Sequence, residues 1–363
     1  MIVNHEVPRC LLTSSPEYNQ YDFCLPHLLD QDEEYRKYFE NARDTGRYVI
    51  MDNSLHELKD VNNGYGYDHE RLRYWVNKLE PDEFIVPDVW MDCYQTTSQA
   101  KYWLQYKFPK KTKKVAVIQG KDKNDAYLCA NLLKELGYDK LGVSYGADWY
   151  DDFFPHSNKS IGKALGRVRF VQGLLKLNHL KNIKFHLLGC SSPFEFSLYD
   201  KNPRIESIDT SNPIMMALEG EKYNNSLVMD KPEANMNNYF NINLDEVNLK
   251  LVRYNVNKFK NFIEDDTIKF DYINNLKTKT IMENKNESTY MMSLYDYLGR
   301  AAGPALGKDV CEVAVKLKET IHEREISNPK YTGNVHLYRR EFLDEYFGKK
   351  VYNGEEESST KDQ

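Results

Sequence analysis

Seven short apolar or β-branched runs recur along the chain: Cys10–Thr13, Tyr48–Met51, Phe84–Val89, Val115–Ile118, Leu141–Tyr145, Ile183–Leu188 and Ile205–Ile208. Runs of about 4–8 residues that stay apolar, instead of alternating, suit strands covered on both faces. Between them lie segments whose apolar residues recur at three and four. In His69–Leu79 these are Leu72, Trp75, Val76 and Leu79; in Asp125–Leu136 they are Ala126, Cys129, Leu132, Leu133 and Leu136. A third segment, Ile161–Leu177, carries Ile161, Leu165, Val168, Val171 and Leu175 on one stripe. Strands alternating with helices imply a parallel sheet clothed in helices. No glycine-rich dinucleotide fingerprint follows the first run, so the expected fold is an α/β, TIM-type (β/α)8 barrel and not a Rossmann sheet. Leu249–Tyr254 is the candidate for the missing eighth strand, which would make residues 1–260 the barrel.

Composition narrows the function classes. With 363 residues, 41% of them hydrophobic and 29% charged, the chain has enough apolar side chain for a large core. No apolar run approaches the roughly 18 residues of a membrane helix, and no basic-then-apolar leader pattern is present. The expectation is a soluble cytoplasmic protein that meets no membrane. Six cysteines stand far apart with no CxxC pair, which fits neither a disulfide framework nor a zinc knuckle. The net charge is −6, yet from Phe153 to Phe194 there is no Asp or Glu, while Lys159, Lys163, Arg167, Arg169, Lys176, Lys181 and Lys184 all fall there. Lys107, Lys110, Lys111, Lys113 and Lys114 form a second knot. Such clustering can present a positive face to phosphate, although a solvated helix face and a lysine-rich turn would account for it equally well.

After about Lys260 the alternation stops. Asn and Lys dominate to Asn286, and GRAAGPALG (Gly299–Gly307) then precedes a helix expected to reach about Ile326. Those glycines lack the Lys-Ser/Thr of a P-loop, so a plain turn into a helix is the reading. Residues 261–352 are thus expected to form a mostly helical appendage, a candidate nucleic-acid platform, with 353–363 a disordered tail.

In a βα barrel the C-terminal strand ends face the active site. Here they carry Asp52 (VIMDNS), Asp88 (IVPDV), Gln119 and Gly120 (VIQG), Gly142 (LGVSYG), Gly189 (HLLGCSSP) and Asp209 (SIDTS). Any one aspartate could cap the next helix; three on separate strands point instead to carboxylate chemistry. No His/Cys/carboxylate cluster has metal-ligand spacing, and His56 is the one histidine beside these ends. With no GxSxG elbow or Walker motif, two acids acting as nucleophile and acid/base suggest retaining glycosyl transfer through a covalent intermediate.

The ordered set MDNS, PDV, VIQG, LGVSYG, LLGCSSP and IDTS, spanning about Cys10 to Pro213, resembles the tRNA-guanine transglycosylase superfamily. It is most similar to the phage and bacterial branch that inserts 7-deazaguanines into DNA. The family's DSGGF-type, VQG, GGLAVGE, MGVGTP and nucleophile motifs match Met51–Leu55, Ile118–Gly120, Leu141–Asp148, Leu188–Pro193 and Asp209–Pro213. The resemblance implies that Asp209 attacks C1′ of a guanosine and that Asp52 is the acid/base. It further implies that Asp88, with Asp92 as the alternative, reads the purine's N1 and exocyclic amine. Gln119, Gly120, Gly142 and Gly189 would then bind the base, whose flat ring needs close backbone approach. Lys159, Lys163, Arg167 and Arg169 would track the phosphate backbone.

Departures from the family shape the substrate expectation. The CxCxxC…His zinc site is not in this sequence, so no metal or cofactor is expected. Asn53-Ser54 replaces a small-Gly pair, Leu55 stands where small or aromatic residues are usual, and SNPI (Ser211–Ile214) replaces LPTR. These losses favour DNA over tRNA, with a free 7-deazaguanine base as second substrate and the cytoplasm of a bacterium or phage-infected cell as the place of action. The other readings are the same exchange on tRNA and a catalytically silent nucleic-acid-binding paralogue. A homodimer is compatible with all three.

Overall fold

In the computed structural model the described residues are 1–58, 66–108, 112–156, 158–190, 192–199, 201–225, 227, 229, 232, 234, 236–264, 291–298, 302–328, 331–340, 342, 343 and 345–347. The chain divides into two compact units, Met1–Tyr272 and Ile273–Gln363, so the first extends past the expected limit of residue 260. The residues expected to form a disordered tail, and the Asn/Lys-rich stretch 265–290, lie outside the described residues.

The first unit is a (β/α)8 barrel. Its strands are β1 (Ile2–Asn4), β2 (Asp22–Cys24), β3 (Val49–Met51), β4 (Glu83–Ile85), β5 (Lys113–Ile118), β6 (Lys140–Ser144), β7 (Lys184–Leu188) and β8 (Ile205–Asp209). All pair in parallel, in the order β1-β8-β7-β6-β5-β4-β3-β2. The seam between β1 and β2 is bridged without a ladder: Gln20 N donates to Val3 O (3.2 Å), Val3 N donates to the Gln20 side chain (2.9 Å), and Asn4 Nδ2 donates to Tyr21 O (2.8 Å).

Two strand assignments need correction. Cys10–Thr13 is not a strand; it belongs to the 3-10 turn Arg9–Ser14, which leads into a short helix with Pro16 in its first turn. Leu11 and Leu12 are buried there without any sheet partner role. Leu249–Tyr254 lies in the helix Leu249–Glu264, where Val252, Val256, Phe259 and Ile263 are buried at spacings of four, three and four. The strands that complete the barrel are β1 and β2, only three residues each. The polar Asn4 and Asp22 interrupt their apolar runs, and with these strands counted Asp52 follows the third strand and Asp209 ends the eighth.

The helices follow their capping chemistry. Asp68 accepts from Arg71 N to start His69–Leu79, Asp92 accepts from Gln95 N to start Cys93–Leu104, and Asp122 accepts from Asn124 N and Asp125 N to start Lys123–Glu135. Asn158 does the same for Lys159–Lys176. Each side chain satisfies backbone donors that the helix itself leaves unpaired. Among the described residues no helix is long and apolar enough to cross a membrane.

The second unit, expected to be mostly helical, carries the helices Leu294–Leu298 and Pro304–Lys316. Beside them is an antiparallel sheet that the sequence does not announce: β9 (Met291–Ser293), β10 (His322–Asn328) and β11 (Tyr331–Arg339), ordered β10-β11-β9. The helix expected to run to Ile326 stops at Lys316, because Lys318 turns left-handed at φ 55° and the chain reverses into β10. Gly303 and Pro304 do form a plain helix entry. Leu294, Val310, Ala314, Tyr338, Phe342, Leu343 and Tyr346 make this unit's own core.

Candidate active site

Side chains alternate across a strand, so residues two apart share the barrel interior. Glu6 beyond β1, Phe23 on β2 with Leu25 just after it, Asp52 after β3, Asp88 beyond β4, Val117 on β5 with Gln119 just after it, Ser144 on β6, Leu188 on β7 and Asp209 on β8 all reach one cavity. Every strand contributes, and all from its C-terminal end. The cavity encloses about 250 Å³, just below the roughly 300–1,000 Å³ of pockets for drug-sized ligands, a scale suited to a single ring system. Among the described residues no Lys or Arg lines it; Glu57 joins Glu6, Asp52, Asp88 and Asp209 as a fifth acid.

The three aspartates at this mouth do different work from the capping ones. Asp88 Oδ1 accepts from Asn53 Nδ2 (2.7 Å) and Oδ2 accepts from Gln119 Nε2 (2.6 Å), linking β3, β4 and β5. Gln119 is oriented in turn by Met91 N, which donates to its Oε1 (3.0 Å). Asp52 Oδ2 accepts from Ser54 N (2.8 Å), and Ser54 sits at φ 58°, a conformation that favours glycine. His27 Nδ1, 2.8 Å from Ser54 Oγ, holds that turn. Asp209 Oδ1 lies 3.0 Å from His186 Nε2, and Gly189 N donates to Oδ2 at 3.3 Å.

Low polarity raises the acids. Burial pushes the Asp52 carboxyl up to about 7, against the Ser54 N–H and helped by the nearby Asp209 and Asp88 charges. Burial likewise takes Asp88 up to about 6, while its bonds from Gln119 and Asn53 pull it back. Burial, with Asp52 next, holds Glu57 well above the usual carboxylate range; its Oε2 is shut from solvent and has no hydrogen-bond partner among the described residues. Acids poised near neutrality in a cleft can take up or release a proton at neutral pH.

Of the residues expected at the site, Asp52, Asp88, Gln119, Gly189 and Asp209 come together around the cavity. Gly189 adopts φ 62°, and a Cβ there would come within 2.3 Å of Tyr145 Cδ1, so glycine lets the Tyr145 ring lie against the backbone. Gly120 and Gly142 do not line it. Gly120 is pressed against the start of the helix Lys123–Glu135, where a Cβ would meet Ala126 N at 2.5 Å, and Gly142 lies one layer deeper, between Val117 and Leu188. Ser144 takes the place on β6. Asp92 is the cap already described and does not line the cavity.

The proposed phosphate track also needs revision. Arg167 is fully buried and paired with the buried Glu195. It donates to Leu188 O (2.8 Å) and Gly189 O (2.7 Å), bracing the turn that presents the Gly189 N–H to Asp209. A guanidinium committed to buried carbonyls cannot track a phosphate chain. Lys159 and Arg169 are exposed, with Arg169 over the Phe153 ring at 5.0 Å; Lys163 is half-buried and pairs with Asp148 at 3.4 Å. In the second knot, Lys110 and Lys111 lie outside the described residues, and Lys114 Nζ donates to Tyr106 O (2.5 Å).

The sequence does not mark Glu6, Phe23, Leu25, Ser144 or Leu188, because β1 and β2 were unrecognised and the other two look like strand interior. It does not mark His186 either. Period-two alternation along FHLLG puts Leu187 and Phe185 on the face of Gly189 and His186 on that of Leu188, so counting back from the glycine does not place the histidine inside the barrel. His56, the histidine it does mark, lines the cavity edge, 3.4 Å from Tyr145 Oη. Among the described residues no group of three His, Cys, Asp or Glu side chains is placed to hold a metal ion.

No family model and no curated protein matches the chain. Among solved structures, a cube-shaped, highly porous protein cage designed by fusing symmetric oligomeric domains aligns over 82% of this chain and 90% of its own, at 9% identity and a TM-score of 0.32. A likeness at that level carries no argument about function.

Proposed function

We propose that the protein is a base-exchange glycosyltransferase that replaces guanine in DNA with a 7-deazaguanine through a glycosyl-aspartate intermediate. The observation that carries the reading is the convergence of Asp52, Asp88 and Asp209 on one ring-sized cavity, with Asp88 gripped by Gln119 and Asn53. An Asp209 oxygen attacks C1′, the C1′–N9 bond breaks, and its electron pair leaves on guanine as the Asp52 carboxyl delivers a proton to the ring. The incoming base then gives its N9 proton to the Asp52 carboxylate and attacks C1′, releasing Asp209. An acid near 7 suits both directions of that transfer.

Asp88 supplies recognition. Each carboxylate oxygen has a second lone pair beyond those used by Asn53 and Gln119, which fits the N1–H and exocyclic amine of guanine. A base lacking those donors would leave a buried acid unsatisfied, and such mismatches discriminate strongly. The target base must leave its stack to reach a cavity this narrow, at a cost of a few kcal/mol. Lys159, Lys163 and Arg169, on the helix that starts at the mouth side after β6, are the candidates for the phosphates alongside; Arg167 is withdrawn from that role.

The test is nucleoside analysis after incubating the protein with DNA or tRNA and labelled guanine or 7-cyano-7-deazaguanine. Label in DNA supports the proposal, and label in tRNA alone replaces it with the tRNA reading. Label in neither, from folded protein, leaves a silent nucleic-acid-binding barrel and sinks the enzymatic one.

A further inference from the structure

Directly behind Asp209 stands a buried polar chain that the exchange chemistry above does not use. His186 and Ser207 are partners in register on β7 and β8, and both are fully buried. His186 Nδ1 lies 2.8 Å from Ser207 Oγ and Nε2 lies 3.0 Å from Asp209 Oδ1. Ser207 and Asp209 are two apart on β8, so they share its inner face with the imidazole between them. The pairing of β7 with β8 slips between Phe185 and His186, and a local irregularity of this kind re-aims a side chain. Phe23 closes the other side, its ring stacked on the imidazole at 5.9 Å and 13°.

We infer that His186 is a positioning residue: it clamps Asp209 Oδ1 through an Nε2–H bond and leaves Oδ2 to attack. The inference rests on Asp209 as the nucleophile. An ionised carboxylate only accepts hydrogen bonds, so the ring nitrogen facing it carries the proton. Ser207 holds the opposite nitrogen and Phe23 the ring plane, which leaves the imidazole no other orientation in which both contacts survive. The two oxygens of Asp209 are therefore not equivalent. Among the described residues Oδ1 meets the stronger contact, His186 at 3.0 Å, and Oδ2 meets the Gly189 N–H at 3.3 Å, while Asp209 itself lines the cavity. On formation of the C1′–Oδ2 bond, the carboxyl π electrons localise on Oδ1, which becomes the ester carbonyl and keeps the His186 bond. No proton passes through the histidine. The clamp instead restricts the carboxyl to one rotation about its χ2 bond, and a misplacement of about 1 Å at a reacting group can cost roughly 10²-fold in rate.

The experiment has two arms on the full chain. Long-range 15N NMR of the histidines reads which imidazole nitrogen of His186 is protonated, with no need for turnover. Protonated Nε2, shifted in the Asp209→Asn variant, is the expected result; a bare Nε2 overturns the inference. In the kinetic arm, His186→Phe lowers kcat for base exchange roughly 10²-fold with KM unchanged. His186→Gln, whose side-chain amide can still donate near the Nε2 position, recovers most of it. Equal losses in folded Phe and Gln variants, or a wild-type kcat in the Phe variant, would show that the ring only fills space. Should wild-type protein exchange no base on any nucleic acid, the functional reading falls, and the NMR arm still decides whether His186 holds Asp209.

Discussion

The two ends of the barrel bury acids in opposite ways. At the base, Glu83 opens β4 and meets Lys140 Nζ from β6 at 2.8 and 2.7 Å and Tyr48 Oη at 2.7 Å. Asp22, at the start of β2, is met by Arg47 Nη2 (3.1 Å), Tyr38 Oη (2.9 Å) and Ser15 Oγ (3.2 Å). At the mouth, Asp52, Asp88 and Asp209 have amide, backbone and imidazole partners but, among the described residues, no lysine or arginine in the lining. Base acids are compensated and serve the fold. Mouth acids are buried without a cation, and that burial raises Asp52 and Asp88 toward neutral pH and makes them costly to ionise. An arrangement that a purely structural core would avoid is retained where a substrate would supply the missing donors.

That contrast can be broken at six residues. Removing the proposed nucleophile is the largest change: Asp209→Asn should abolish the covalent adduct and lower exchange by about 10⁴-fold, read by mass spectrometry of trapped protein and by label incorporation. Turnover at a tenth of wild type would move the chemistry off Asp209. Next, Lys140→Met should destabilise by about 3–5 kcal/mol in urea titrations, because Glu83 is left buried without its cation. Arg167→Met should behave alike, stranding Glu195; a loss under about 0.5 kcal/mol would place Arg167 at the surface after all.

Asp52→Asn should do the reverse. The folded carboxyl is raised from its ordinary 3.8 to about 7, so it binds a proton more tightly folded than unfolded. Its contribution to stability is complete below pH 3.8 and is lost as pH rises through about 7. The asparagine variant should therefore gain up to about 4 kcal/mol over wild type at pH 8 and little at pH 4, while exchange drops roughly 10²–10⁴-fold. Equal stability of the two proteins at pH 8 would refute the strained mouth. The smallest effect belongs to the outer cations: Lys159→Ala and Arg169→Ala should each leave stability within about 0.5 kcal/mol and reduce the salt slope of DNA binding by about 1.

Legibility followed the range of the interactions involved. The helices His69–Leu79, Lys123–Glu135 and Lys159–Lys176 read correctly because Asp68, Asp122 and Asn158 cap within three residues and the apolar stripe repeats within one turn. β1 and β2 did not, since Asn4 and Asp22 interrupt their apolar runs and the strands are defined by neighbours such as Ser207 and Val49. Gly120 and Gly142 looked like base contacts because glycine signals close approach without naming what approaches; it proved to be a helix start and the Val117 and Leu188 side chains. Arg167 looked like one more cation in an acid-free stretch, as its partner Glu195 comes 28 residues later, just past that stretch.

By itself the chain determined the alternation of strand and helix and the set of acids that follow its strands, because burial periodicity and capping are local properties of a few consecutive side chains. Only the tertiary structure decided which acids share a cavity, which cation is spent on a buried carboxylate, and that a histidine inside β7 faces Asp209. Those outcomes depend on barrel closure, which brings residues more than a hundred positions apart into one low-dielectric space, where the pairing of charge, and not its sum along the chain, sets the chemistry.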